Sequence, residues 1–311
     1  MREGMVPIKK GLTGGFDKGW RGFLWMMKII VPVSLLTSLL AWSGWMEELD
    51  FLLRPMMGMI GLPPMAALPL IIGMVGSIYG GIAAMVVLPF SPEQMTLMAI
   101  FLLMAHNMIQ EGIVQANSGI HPLKATLFRI AAALITVMAV APLLGSSAAA
   151  APLQGGIAAE ALPLIDVLKG WGLTTLRLSL SVFLIIMTIL TLLEILKETG
   201  FIHPLVRILS PFLKLMGLDD RVGFLWMTAV IFGLTYGGAV IVEETRENSL
   251  TAEDLETLHL SIGINHSMVE DPLLFMVLGL SAFWLYVPRL ITAILSVRLL
   301  RLYHRLSGPR G

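Results

Sequence analysis

Apolar positions in this chain gather into long blocks, at 22–43, 64–90, 123–145, 173–193 and 272–297. Each block is near or above the roughly 20 residues that carry a helix across about 30 Å of hydrocarbon. The polar punctuation between the blocks occurs twice. Lys18-Gly19-Trp20 returns as Lys169-Gly170-Trp171, RPMMGMIGL (54–62) as SPFLKLMGL (210–218), and GSIYGG (76–81) as GLTYGG (233–238). SPEQ (91–94) returns as TAED (251–254), and Arg129 as Arg289. The order is the same in both halves, which marks an internal repeat over 16–145 and 166–305. A basic N-terminal segment (1–15) precedes it, a small-residue linker (146–165) divides it, and a short tail (306–311) follows.

Each repeat reads as five pieces. A long apolar helix (22–43; 173–196) comes first, then a Pro-broken segment with the mixed character of an interfacial helix (50–61; 203–217). The third piece (64–90; 222–245) is split by glycines, among them Gly73, Gly76, Gly80 and Gly81, and Gly233, Gly237 and Gly238. Its arms are about ten residues long, too short to span. They predict a re-entrant helical hairpin, since non-helical backbone at membrane depth must be buried in protein or line a cavity. A full-span helix using its glycines for close packing is the competing reading. The fourth piece opens with a capping signal, Ser91-Pro92-Glu93-Gln94 or Thr251-Ala252-Glu253-Asp254. An apolar helix (123–145; 282–305) closes each repeat.

Composition agrees: 56% of the 311 residues are hydrophobic and 14% charged, against roughly 25% charged in soluble domains. The chain is predicted to be an all-α polytopic membrane protein. It has two inverted-topology repeats, each with three transmembrane helices (one of them broken), an interfacial helix and a re-entrant hairpin. Three crossings per repeat is an odd number, which inverts the second copy. With both termini cytoplasmic, all but Arg54, Lys169, Arg177 and Arg289 of the 21 Lys and Arg fall on the inner side, as the positive-inside rule requires. The predicted location is the cytoplasmic (inner) membrane. Zero net charge leaves no footprint for nucleic acid. The absence of cysteine excludes disulfides and thiolate chemistry. The N-terminus lacks the apolar core and small-residue site of a cleaved signal.

Candidate chemistry sits in two matching motifs, AHNMIQEG (105–112) and NHSMVEDP (265–272). Ionisable residues inside a membrane are costly and functional by default. His106, Gln110 and Glu111 in one copy correspond to His266, Glu270 and Asp271 in the other. Imidazole with carboxylate is a ligand set for Zn(II), Fe(II) or Mn(II). It is equally a proton relay. The structural alternative is a histidine satisfied by a backbone carbonyl, with the acids acting as helix caps. Asp271-Pro272 reads as N-cap and N1 of a new half-helix, with Gly112 in the proline's place. Arg129 and Arg289 are either counter-ions or residues snorkelling to the interface. A small polar solute would meet Ser77, Tyr79, Gly80, Gly81, Thr235, Tyr236, Gly237 and Gly238 at the hairpin tips, and Asn107, Asn265 and Ser267 at the breaks. Enzyme fingerprints such as HExxH, GxSxG and Walker A are missing, so no reaction is predicted. No cofactor is implied beyond a divalent metal ion at the His/carboxylate set.

This order of elements, with YGGAVIVEETRE (236–247) followed by NHSMVEDPLLF (265–275), resembles the nucleoside-recognition or Gate domain. That domain is shared by concentrative nucleoside transporters, the membrane part of ferrous iron permeases and bacterial spore maturation proteins. The resemblance covers about 16–305. It implies a permease with substrate held between hairpin tips and helix breaks, a nucleoside-like solute being the one the family label favours, and it allows a scaffold or partner subunit of the spore-maturation type. GSIYGG carries no carboxylate, unlike the hairpin signature of nucleoside transporters. The cysteine-containing gate motif and the GTPase domain of iron permeases are also missing. The partners expected are therefore lipid and a small solute or ion, and a homo-oligomer is compatible with all of this.

Overall fold

The computed structural model describes residues 2–45, 50–145, 163–201, 218, 222–223, 225–227, 229–230, 241–242 and 251–307. Every regular element among the described residues is helical. The principal helices are α1 (Arg2–Trp42), α2 (Asp50–Gly58), α3 (Ala67–Val75), α4 (Ile78–Met85), α5 (Pro92–Ala105), α6 (Met108–Asn117), α7 (Pro122–Val140), α8 (Leu164–Glu198), α9 (Ala252–Asn265), α10 (Glu270–Met276) and α11 (Ala282–Ser307). Five stretches of the described residues are long and apolar enough to cross a membrane: Pro7–Trp42, Pro92–Asn117, Pro122–Leu144, Leu164–Glu198 and Ala282–Leu306. The chain is a polytopic membrane protein.

The sixth crossing expected from the sequence falls on α9 and α10, of 14 and 7 residues, and is not among these five stretches. Neither reaches the roughly 20 residues of a full span. Acidic residues at both helix starts also dilute its apolar character. The predicted caps form as read. Ser91 Oγ accepts from Gln94 N at 3.3 Å while the Gln94 side chain accepts from Ser91 N at 3.0 Å. Thr251 and Asp254 repeat the exchange at 3.1 and 3.2 Å.

The first helices of the two repeats, α1 and α8, pack antiparallel along their length. Gly11, Gly15 and Gly19 lie four residues apart, on one face of α1. A Cβ at these positions would lie 2.7 Å from Ile195 Cα, 2.4 Å from Thr191 Cα and 2.7 Å from Met187 Sδ, respectively. Small residues that let backbones approach are the usual device for joining helices in lipid, where no hydrophobic drive separates protein from solvent. Lys10 with Glu198 (2.9 Å) and Lys18 with Glu194 (2.5 Å) close one end of the pair. Further along, Trp171 Nε1 donates to Ser34 Oγ at 3.0 Å. The segment read as a separate basic leader, 1–15, is thus continuous with α1, and Gly11 and Gly15 pack it onto α8. Gly15→Leu is expected to destabilise the protein by about 1–3 kcal/mol through overpacking. The readout is the thermal midpoint in detergent, and an unchanged midpoint would refute the contact.

The hairpin expected from the glycines is present in the first repeat. Helices α3 and α4 have 9 and 8 residues, or about 12–14 Å each, so neither arm spans. They fold back on each other where a Cβ on Gly81 would come within 3.2 Å of Gly73 Cα, and both back onto Leu102 of α5. The reversal lies at Gly76-Ser77, and Ser77 Oγ caps α4 by accepting from Gly80 N at 3.3 Å. The second hairpin's tip, 233–238, and the second interfacial segment, 203–217, lie outside the described residues.

Helices α5, α7, α9 and α11 surround the centre. At one end Lys124 of α7 pairs with Glu256 of α9, and His304 of α11 lies 3.3 Å from Glu256 and 3.8 Å from Glu253. This gathers the starts of α7 and α9 and the end of α11.

Candidate metal centre at two helix breaks

Both histidine motifs interrupt a helix in the same way. In the first, α5 ends at Ala105, His106 is extended (φ −93°, ψ 171°), and Asn107 is left-handed (φ 52°, ψ 34°) before α6 begins. In the second, α9 ends at Asn265, His266 is extended (φ −63°, ψ 159°), and Ser267 is left-handed (φ 50°). Asn tolerates this region better than most residues; no other non-glycine residue among those described adopts it besides Asn107 and Ser267. The freed N–H groups find protein partners. Asn107 N donates to Gly73 O in the hairpin at 3.1 Å, and Met268 N donates to Val230 O at 3.0 Å. Both breaks are therefore enclosed in protein, the condition for irregular backbone at membrane depth.

The freed carbonyls are held by two arginines, each 1% exposed. Arg129 donates from Nε to Met104 O and from Nη2 to His106 O, both at 2.9 Å. Arg289 does the same to Ile264 O and His266 O. Snorkelling is thus overturned for both, and neither can be counted on an aqueous side. The helix-end carbonyls offer a cation more than an interface could.

Between the breaks the two imidazoles meet. His106 Nδ1 lies 2.7 Å from Leu102 O, and His266 Nδ1 lies 3.3 Å from Ile262 O. A carbonyl only accepts, so each Nδ1 carries the hydrogen, and each neutral ring presents a lone pair at Nε2. The two Nε2 atoms are 3.1 Å apart, with ring centroids at 4.6 Å. Each also faces the acid of the other repeat: His106 Nε2 lies 3.3 Å from Asp271 Oδ2, and His266 Nε2 lies 3.1 Å from Glu111 Oε1. Neither carboxylate oxygen has a hydrogen-bond donor. His106, Glu111, His266 and Asp271 are all 3% exposed or less. Four acceptors thus converge with no donor among them, an arrangement that burial makes costly. A positive charge placed between them relieves it.

The halves are not equivalent. Glu111 Oε2 pairs with Arg129 Nη1 at 2.6 Å, whereas Arg289 Nη1 has no partner. Asp271 is one methylene shorter than Glu111 and turns toward His106 instead. It is not the N-cap of its half-helix. That residue is Val269, and Asp271 and Pro272 lie inside the first turn of α10. Proline is tolerated there because first-turn N–H groups have no intrahelical partner.

No family model matches the chain, and no solved structure matches it. Over 291 residues it is 30% identical to YvoD, an uncharacterized membrane protein of Bacillus subtilis (strain 168), across 92% of this chain and 91% of that protein. The chain belongs to the YvoD family.

Among the other predicted site residues of this YvoD-family chain, Gln110 is exposed and is not brought to the centre. Its counterpart Glu270 accepts a hydrogen bond from Tyr79 of the first hairpin, and Tyr79 also packs edge-on against Trp25. Ser77 is spent on capping, and Gly80 and Gly81 are buried in the first turn of α4. Asn107 Oδ1 and both side-chain polar atoms of Asn265 are buried without partners, and Ser267 is half-buried. Thr235, Tyr236, Gly237 and Gly238 lie outside the described residues. Tyr79→Phe removes the donor to Glu270 and is expected to cost about 1–3 kcal/mol. A thermal midpoint matching wild type would count against that bond.

The sequence reading passed over His259, which is 3% exposed, with Nε2 unpartnered. Its signal was available: Glu256, His259, Gly263 and His266 recur at three- and four-residue spacing, on one face of α9.

Proposed function

We propose that the chain is a secondary permease of the inner membrane that moves a divalent transition-metal cation by alternating access. The two repeats are inverted, with both termini cytoplasmic, and rearrange about the dihistidine centre. The observation that carries this reading is the convergence of His106 Nε2, His266 Nε2 and Asp271 Oδ2, all within 4.8 Å of one another. A metal ion holds nitrogen and oxygen ligands at about 2.0–2.2 Å, which sets neighbouring ligand atoms about 3–3.5 Å apart. The separations of 3.1 Å between the imidazoles and 3.3 Å from His106 to Asp271 match that spacing. Two histidines and one carboxylate suit Zn(II), Fe(II) or Mn(II) and leave coordination positions open for release. Glu111, 3.1 Å beyond His266 Nε2, supplies further negative charge.

The Gate-domain resemblance supports a permease whose cargo sits between hairpin and helix breaks. A polar solute finds less support: Ser77 Oγ and Tyr79 O–H, the hydroxyls of the described hairpin, are engaged within the protein. A second reading, a proton-coupled carrier, is favoured by the same 3.1 Å Nε2–Nε2 separation, which a shared proton also fits. Proteoliposome uptake of Zn(II) and Mn(II), followed with an internal metal dye, tests the proposal. Uptake in wild type and its loss in His266→Ala support metal transport. Acidification coupled to no metal uptake would favour the proton carrier, and neither flux would favour a scaffold or partner subunit.

A further inference from the structure

We infer that His259 is a transient cation site on the route between the aqueous end of α9 and the dihistidine centre; this rests on the metal-permease reading above. Helix α9 opens at the aqueous edge, where Glu253, Glu256 and His304 gather. From Glu256 the same helix face carries His259, Gly263 and His266 in turn. At about 1.5 Å per residue, His259 lies about 4–5 Å inward of Glu256 and about 10–11 Å short of His266. It is therefore an intermediate position in depth as well as in sequence.

The imidazole is prepared for a ligand. One ring nitrogen hydrogen-bonds the Ser118 backbone in the turn between α6 and α7, and Nε2 is buried with no partner. This is the polarity of His106 and His266, whose Nδ1 atoms are likewise held by backbone and whose Nε2 lone pairs are left bare. A buried nitrogen left unsatisfied is unfavourable, and the Ser118 contact does not relieve it at Nε2; a cation there would. The first repeat has Ala99 at the corresponding place, 0% exposed, so the feature exists on one route only. The centre is thus equipped for stepwise loading from the end that carries Lys124 and the C-terminal helix.

Among the described residues, Lys124 and Arg129 of α7 face this route. Lys124 is paired with Glu256 at the mouth. Arg129 lies deeper: a Cβ on Gly263 would meet its Cδ at 2.8 Å, and its guanidinium is held by Glu111 and the α5 carbonyls. Arg129 is the inner barrier, and His259 holds the cation on its outer side until that barrier moves.

The test is stopped-flow binding of Zn(II) alone to the purified full-length protein, with equilibrium titration on the same samples. His259→Leu is expected to keep wild-type stoichiometry and affinity at the centre while slowing association by about tenfold or more. Dissociation slows by the same factor, as unchanged affinity requires. His259→Gln, which retains a donor for the Ser118 backbone but no imidazole, serves as the second variant if the leucine protein folds poorly. Wild-type rates in a folded variant overturn the inference and leave the permease reading standing. Loss of equilibrium affinity in both variants also overturns it, making His259 part of the centre or its scaffold. Absence of Zn(II) binding in wild type rejects the parent reading and this one with it.

Discussion

Purified His106→Ala protein is expected to bind Zn(II) at least about 100-fold more weakly than wild type, with His266→Ala behaving the same. Changing groups that merely support a metal's ligands costs about 10–100-fold in affinity, so removing a direct ligand should reach at least the top of that range. A 100-fold loss corresponds to about 2.7 kcal/mol. The symmetry of the effect is the informative part, because the two Nε2 atoms lie 3.1 Å apart and would share one ion. Asp271→Asn should fall in the same class, since Asp271 Oδ2 is 3.3 Å from His106 Nε2. Gln110→Ala should leave binding intact, because that side chain is exposed and away from the centre. Isothermal titration with Zn(II), alongside metal analysis of the protein as purified, makes the comparison. Independent loss at only one histidine, or no stoichiometric metal in wild type, would defeat the shared-ion picture.

Arg129→Met is expected to be among the most damaging single substitutions in the protein, at about 3–5 kcal/mol, the usual cost of stranding one member of a buried ion pair. Three partners lose their donor at once: Glu111 Oε2 at 2.6 Å, and the carbonyls of Met104 and His106 at 2.9 Å each. Glu111→Gln in the same chain should recover part of the loss by removing the stranded charge. It should not recover the part due to the orphaned carbonyls, and a thermodynamic cycle over the four proteins separates the two. Arg289→Met provides the contrast. Its guanidinium bonds the equivalent carbonyls, yet its Nη1 has no hydrogen-bond partner, so no direct ion pair is broken and the cost should be smaller. Equal costs at both arginines would show that holding the helix breaks, rather than pairing Glu111, is what these residues contribute.

These contrasts also show what could be read from residues alone. Length and polarity of the apolar blocks, the capping boxes at Ser91 and Thr251, and the glycine-marked hairpin at 67–85 are local properties, set by chain spacing and hydrogen bonding within a few residues. The repeated motif likewise pointed to His106, Glu111, His266 and Asp271 because ionisable groups stand out in an apolar background. Assignments that depended on which way a side chain turns fared less well. Asp271 resembled an N-cap by its proline neighbour, but α10 is capped at Val269, which places Asp271 inside the first turn with its carboxylate facing His106 across the centre. Gln110 shares the motif with Glu111, yet one residue along a helix is a rotation of about 100°, enough to carry it from the centre to the surface. Arg129 and Arg289 looked like interfacial residues because sequence position does not reveal that freed carbonyls wait 23 and 25 residues upstream.

The sequence by itself determined that this is an all-helical membrane protein, and it marked where helices begin, where two of them break and which ionisable groups lie at the breaks. Only the tertiary structure decided that each histidine faces the acid of the other repeat, that Arg129 pairs directly with a carboxylate while Nη1 of Arg289 does not, and that Nε2 of His259 is buried with no partner. Hydrophobic length and capping act along the chain and are written in residue order. The meeting of His106 with His266 spans 160 positions and arises from how separate helices pack, which no local pattern encodes.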